Sequence, residues 1–454
     1  MNIAIIGAGT YGSYIADALL NKYPETKITV FEVGGAKVVS ELQIGYFSSL
    51  KKSLYKGLTD GRWFGFGGAS AKWGGQLLTF TENDFLNPDS FMLDVIKYNK
   101  KYKAAMLRKF SIENNFSENQ VGEGLFTKTG VWLSVFGRNF FKVFKINKRK
   151  NITILKNTRV SHIVSSNKKH ISSISYIQDD KEFTGEYDYY FLAAGAFENA
   201  RILLSSKLLA ETKVKFSDHL SQKVFKIKKG TLVGNEDFVF RMRGTSLITK
   251  RLIGEVNDCS FYAHPVFNMD FPFFQSLKEI LFKGKFSFSA INNIFVDIPQ
   301  VLGFAWSVIV LRRMYVLDNE WFLYIDIENP SKESYVTLSE EKDIFGINGL
   351  DVFYKVDQEA AVVFKKAIEV VSKHLRECNV EFDVLAEKID VETCEDIYHP
   401  YGMYCDYKSA EDYFTKYDNM LVVSTGILPR SGGINPTAAV LPLIDEFINN
   451  YFQK

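Results

Sequence analysis

The sequence predicts an α/β fold joined to a separate α+β region, and three observations carry that prediction. An apolar run meets a glycine turn and a helix-like stretch at the N-terminus. A second apolar run ends in small residues near position 195. Between 221 and 395, alternating strands are followed by a long amphipathic helix.

The first observation is the sharpest. Residues 2–6 (NIAII) run into Gly7-Ala8-Gly9-Thr10-Tyr11-Gly12, and residues 13–20 then carry a helical pattern. In such a unit the first glycine permits the tight turn and the second lets backbone approach a pyrophosphate. The third lets helix pack on strand, with the anion at the helix N-terminus. Twenty residues past Gly12 a second apolar stretch, 28–31, ends in Glu32, whose carboxylate can accept from both ribose hydroxyls. That acid repels a 2′-phosphate, so NADP is disfavoured while FAD and NAD both stay open.

A chain of 454 residues has room for two or three domains and a large core. Its net charge of +2 makes no electrostatic case for nucleic acid. Cys259, Cys378, Cys394 and Cys405 lack CxxC spacing, so no metal site is expected, and a reduced, cytoplasmic setting suits them better than a disulfide framework. No basic region follows Met1 and the glycine turn interrupts the apolar run early, so this run is expected to be a strand of the folded domain. No stretch reaches the roughly 18 to 20 apolar residues of a spanning helix.

A second glycine-dense stretch, 61–76, has six glycines in sixteen residues, which disfavours regular structure. Such a loop can press its backbone on a flat ligand while Trp63 and Trp73 pack it in place; a surface loop is the alternative. Residues 91–106 read as helix, and the charges of 138–145 as a solvated helix face, with a membrane-surface or anionic-ligand patch as the alternative. Short strands are expected at 152–155, 159–165, 171–177 and 187–192, as a small antiparallel meander. The last runs into Ala193-Ala194-Gly195-Ala196, where the main sheet would meet a ligand, and a helix over 197–204 follows.

In the 221–395 region the expected elements include strands 238–242 and 321–327 and a helix over 357–378. Segment 271–315 is unusually apolar, with Lys278, Lys283, Lys285, Arg312 and Arg313 near its ends. It reads either as a core helix or as a greasy flap lying on a membrane or over a lipid-linked substrate. Near the C-terminus, Tyr398-His399-Pro400-Tyr401-Gly402 forms a turn. A strand at 420–424 opens into Gly426 and then Ser431-Gly432-Gly433-Ile434-Asn435-Pro436-Thr437, with a closing helix over 438–451.

On these four stretches the chain resembles the glucose-methanol-choline (GMC) family of flavin-dependent alcohol oxidoreductases, over most of its length. Asp218-His219 and the residues around Asn329-Pro330 and Val336 agree more softly. The resemblance implies FAD in a Rossmann-type domain built from separated segments, 1–220 and 396–454, and a substrate domain, 221–395, with an antiparallel sheet. It places FAD against Gly7, Gly9, Thr10, Tyr11, Gly12, Glu32, Gly67, Gly68, Ser70, Trp73, Gly74, Gly75, Val160, Ala194, Gly195, Gly426, Asn435, Pro436 and Thr437. His399 falls on the catalytic histidine and Asn435 on its partner. Imidazole, with an ordinary pKa near 6.5, suits removal of a hydroxyl proton, and Asn435 would orient that hydroxyl while flavin N5 takes the hydride. The N–H groups near Pro436 would stabilise negative charge on the reduced flavin.

Of the other histidines, His162, His170 and His374 are expected to face solvent, while His219 and His264 stay open. Lys72 stands where some sugar oxidases of the family carry a histidine bonded to FAD, so the flavin is expected to be non-covalent. Met403, Cys405, Asp406 and Tyr407 depart from the usual continuation of the histidine motif. The expected activity is oxidation of the CH–OH group of an alcohol or sugar, free or lipid-linked, with the electron acceptor open. Contact with a membrane through 271–315 is part of that expectation. A non-catalytic client-binding protein of the same architecture and a flavin amine oxidase are the alternatives.

Overall fold

The structure, a computed structural model, describes residues 1–51, 55–113, 117–134, 136–228, 236–238, 240–244, 246–267, 298–311, 321–386, 389–404 and 406–452, with the isolated positions 276, 288, 292 and 296. Five parallel strands form one sheet in the order Met420–Val422, Tyr189–Leu192, Asn2–Ile6, Lys27–Phe31 and Ile152–Leu155. Its central strands are apolar in unbroken runs because both faces are buried. The helices Thr10–Lys22, Ser90–Lys109 and Leu441–Asn450 pack on one another beside it. The sheet therefore takes strands from both ends of the chain and from its middle.

A ten-stranded sheet makes the second layer, its main path running Phe382–Val384, His219–Ile227, Trp321–Glu328, Cys259–Phe267, Ser246–Val256, Leu125–Trp132 and Gln76–Leu77. Alternation decides its two faces. Leu252, Phe261, Ala263, Leu323, Ile325 and Ile327 are buried in the core that also holds the apolar side of helix Glu359–Glu377. The residues between them, His219, Tyr262, His264, Asp326 and Glu328 among them, form a polar face. The expected boundary at 220/221 falls inside strand His219–Ile227, and Gln76–Leu77 and Leu125–Trp132 join this sheet from within 1–220.

Several local expectations change. Ile152–Leu155 is not part of the meander but pairs in parallel with Lys27–Phe31 at the sheet edge. The meander is Thr158–Ser165, Ile171–Gln178 and Lys181–Gly185. The closing helix is a 3₁₀ turn, Pro436–Val440, followed by Leu441–Asn450, since Pro442 has no N–H to continue one helix through the junction. In 138–145 the lysines are exposed but Arg138, Asn139, Phe140, Phe141 and Phe144 are buried against the glycine-dense loop. His374 is buried too, bonded to Asp237 at 3.0 Å rather than facing solvent. Most of 271–315 lies outside the described residues, as does Cys405. No helix among the described residues is long and apolar enough to cross a membrane.

Candidate active site

A cleft runs along the carboxyl ends of the parallel strands, where open α/β sheets hold their ligands. Of the residues expected to contact FAD, Gly7, Gly9, Thr10, Tyr11, Glu32, Gly68, Val160, Ala194, Gly195 and Thr437 line it. His399 lines it as well, beside Tyr398 and Pro400. The two ends of the chain meet across this space: the Tyr11 hydroxyl donates to the Thr437 carbonyl at 3.1 Å, 426 residues away.

Glu32 is more committed than a ribose ligand alone would be. Its buried carboxylate accepts from the backbone N–H groups of Ala8, Gly34 and Gly65, each at 2.9 Å. A carboxylate has about four acceptor positions, so one is left for a ribose hydroxyl. Burial raises its pKa, and the three N–H groups work against that rise. Val160 is held by a neighbouring ion cluster that the sequence reading did not pick out, although the three-residue spacing of Glu198 and Arg201 on helix Ala196–Ser205 was a signal. The Arg201 guanidinium donates to the Val160 carbonyl at 2.8 Å and to Glu198 at 2.8 Å. Burial would raise the Glu198 pKa, but Arg159, Arg201 and Arg62 hold it below the usual carboxylate range.

The other expected FAD residues, Gly12, Gly67, Ser70, Trp73, Gly74, Gly75, Gly426, Asn435 and Pro436, do not line this space. Ser70 is fully buried, donating to the Gly67 carbonyl at 2.6 Å and accepting from the Phe140 N–H. Trp73 donates to the Arg138 carbonyl, Gly74 lies against Trp132, and Gly75 is bonded to Leu133. Gly426 accepts from the Met403 N–H and Pro436 opens its 3₁₀ turn. These residues set the loops rather than touch the space.

At the other end, Asp218 organises two histidines through their backbones. Its carboxylate accepts from the His219 N–H at 2.7 Å, the His399 N–H at 2.9 and 3.0 Å, and the Tyr55 hydroxyl at 2.6 Å. Burial raises its pKa to about 8, with the Tyr55 bond opposing. The His219 and His399 rings stand 6.2 Å apart and nearly perpendicular. The Gly432 carbonyl, 2.7 Å from His219 Nε2, can only accept, so it fixes the His219 proton on Nε2. Burial, then the nearby His219, lowers the His399 pKa to about 3. His399 Nδ1 is buried with no hydrogen-bond partner.

No family model matches the chain, and no curated protein matches it in sequence. Solved structures do. Pyridoxine 4-oxidase from Mesorbium loti superposes with a TM-score of 0.59 at 14% identity, covering 100% of this chain and 99% of that one. Formate oxidase from Aspergillus oryzae RIB40, a structure concerned with FAD modification, gives 0.53 at 11% identity, covering 99% and 98%. The chain has the fold of these two oxidases.

Within this fold, His399 and Asn435 are not joined by a hydrogen bond among the described residues. Asn435 Oδ1 instead accepts from the Tyr262 hydroxyl at 3.2 Å, and its amide donates to Gln76 Oε1 at 3.4 Å. The His219 ring lies 6.2 Å from that of His399 and 5.7 Å from that of Tyr262. Tyr262, Gln76, Arg251 and Asp326 were not singled out from the sequence. Arg251 lies over the Tyr262 ring at 4.3 Å and is bonded to Gln76, while Asp326 meets His264 at 3.2 Å. The signal was the polar alternation Ser260, Tyr262, His264 in an otherwise apolar strand.

Proposed function

We propose that the chain is an FAD-dependent oxidoreductase that oxidises the CH–OH group of a small alcohol or sugar, free or lipid-linked, with His399 as the base. What carries this reading is a half-buried imidazole on the wall of a cleft long enough to begin at the glycine turn, its Nδ1 buried without a hydrogen-bond partner. The cleft suits FAD on its own terms. A Cβ on Gly9 would come no nearer than 3.9 Å to any residue beyond its chain neighbours, so open space that a ligand could fill lies above it in the cleft. Residues Gly9, Thr10 and Tyr11 would hold the pyrophosphate at the start of helix Thr10–Lys22, Glu32 the ribose, and Ala194, Gly195 and Thr437 the remainder. FAD, when bound, supplies the two-electron acceptor that the side chains lack.

His399 is neutral at physiological pH because burial disfavours its cation, and an imidazole held neutral can take a hydroxyl proton without first losing one. Asp218 fixes its backbone, and His219, anchored to Gly432, limits its ring to one side. Asn435, steadied by Tyr262 and Gln76, would orient the substrate oxygen. Lys72 is exposed with its ammonium 5.1 Å over the Trp63 ring, which supports a non-covalent flavin. Leu302, Trp306 and Ile309 are exposed, which supports contact with a greasy surface or a lipid-linked substrate; a cytoplasmic setting is part of the same proposal.

The test is anaerobic mixing with alcohols and sugars, following bleaching of bound flavin, then admitting air. His399→Asn is expected to slow bleaching roughly 10²- to 10⁴-fold with FAD still bound. Unaltered bleaching would remove His399 from the role of base. A colourless protein that releases no flavin on denaturation would favour the client-binding reading.

A further inference from the structure

A second cluster of chemistry-bearing side chains lies away from the cleft, at the C-terminal end of helix Glu359–Glu377. His374 and the C-cap residue Cys378 are four residues apart, one turn, so both project on the same side. Opposite them stands Asp237, in the 3₁₀ turn Glu236–Phe238, which packs near strand Ser246–Val256 through the buried Phe238. His374 Nε2 is 3.0 Å from Asp237 Oδ2, Cys378 Sγ is 3.5 Å from the same nitrogen, and Sγ is 3.9 Å from Oδ2.

Two arrangements use these residue types, and the geometry separates them. In a nucleophile triad the acid bonds one ring nitrogen and the thiol the other. Here both the carboxylate and the sulfur converge on Nε2, the arrangement in which three donor atoms surround one point. Bond lengths of about 2.0 to 2.3 Å to a tetrahedral zinc ion place neighbouring donors about 3.3 to 3.6 Å apart. The observed separations straddle that range.

We infer that Asp237, His374 and Cys378 form a binding site for one tetrahedral transition-metal ion, with Zn(II) the fitting occupant and water in the fourth position. Thiolate and imidazole favour zinc over magnesium or calcium, whose ligands are oxygens. Asp237 is partly exposed, with 19% of its side chain accessible, so solvent reaches the fourth position. Binding needs no oxidant: the Cys378 thiol releases its proton to solvent as the sulfur–metal bond forms, and no redox change occurs. The ion would brace the turn Glu236–Phe238 against the helix that packs on the apolar face of the ten-stranded sheet. The sequence has no CxxC pair, but one helical turn between His374 and Cys378 does the same work of bringing two donors to one side.

The test uses the flavin-loaded protein, stripped with EDTA and titrated with Co(II) and Zn(II). One equivalent of Co(II) is expected to give tetrahedral visible bands and a thiolate charge-transfer band in the near ultraviolet, both lost on adding Zn(II). Protons should be released on binding, with affinity rising about tenfold per pH unit below the thiol pKa. Cys378→Ser should abolish the charge-transfer band and weaken Zn(II) binding at least 100-fold. Asp237→Asn should weaken binding while keeping that band. Flavin content reports folding of both variants. Wild-type protein that binds no stoichiometric Co(II), or Cys378→Ser that binds it unchanged, overturns the inference without touching the flavin reading.

Discussion

His399 illustrates how a single side chain is tuned by what surrounds it. In water its imidazole would be half-protonated near pH 6.5; burial first, and the neighbouring His219 second, bring it to about 3. Its basic form therefore persists far into acid. In the holoenzyme the rate of flavin reduction, followed by stopped flow, is expected to show no loss of activity centred at 6.5, the His399 acid limb lying below pH 5. A limb at 6.5 that disappears in His399→Asn would contradict this. Asp218 acts one step back, as a positioning residue, since its carboxylate meets the backbone N–H groups of both histidines and not the cleft. An amide at that position would turn an N–H toward other donors. Asp218→Asn is expected to slow flavin reduction at least tenfold with flavin content unchanged. It should also alter the high-pH side of the rate profile, because burial places the Asp218 pKa at about 8.

At the scale of elements the glycine turn separates packing from ligand binding. A Cβ on Gly12 would lie 1.9 Å from the Gly7 carbonyl oxygen, which no side-chain movement relieves. Gly12→Ala is therefore expected to yield little folded protein. Gly9→Ala meets nothing closer than 3.9 Å, so the apoprotein should melt as wild type does while FAD affinity, measured by flavin fluorescence, falls at least tenfold. Loss of apoprotein stability in Gly9→Ala would mean that this glycine serves packing. The turn was legible in the sequence because all its parts, strand, glycines, helix and acid, are local and periodic. The motif turn that holds Asn435 was legible for the same reason. Its side-chain partners were not: Tyr262 lies 173 residues away and Gln76 359 residues away, on strands of a sheet whose pairing no local pattern encodes. Likewise Ile152–Leu155 has the apolar character of any strand, and only its neighbour decides whether it joins the parallel sheet or the meander.

Across the whole molecule, the two sheets are tied together at the active site by Glu328. From the polar face of the ten-stranded sheet, it accepts from the N–H groups of Ser431 and Gly432 at 2.9 Å and from the Arg430 guanidinium at 2.6 Å. Those residues belong to the loop that follows the last strand of the parallel sheet, so one buried carboxylate holds the Asn435 motif against the substrate side. Burial alone would raise the Glu328 pKa, but Arg430 and the N–H groups outweigh it and the pKa is lowered. A carboxylate with a lowered folded pKa contributes stability that is fully present above its unfolded value, about 4.3, and lost as pH falls through the folded one. The lowered pKa values of His399 and His219 act earlier. Below about 6.5 these two sites take up protons in the unfolded chain that they refuse in the folded one, so their contribution to stability falls there. Acid unfolding should thus draw on two stages, a histidine one from about 6.5 downward and a carboxylate one below about 4.3, while the raised Asp218 pKa adds stability as pH falls through about 8 and opposes the first. Urea titrations at pH 8, 5.5 and 4 are expected to find the first stage flattened in His399→Asn and the second in Glu328→Gln. The latter should also cost about 3 kcal/mol at pH 8, since it takes the main partner from a largely buried guanidinium. A difference in stability between wild-type and His399→Asn protein that does not change between pH 8 and 5.5 would show that this imidazole is not held neutral by the fold.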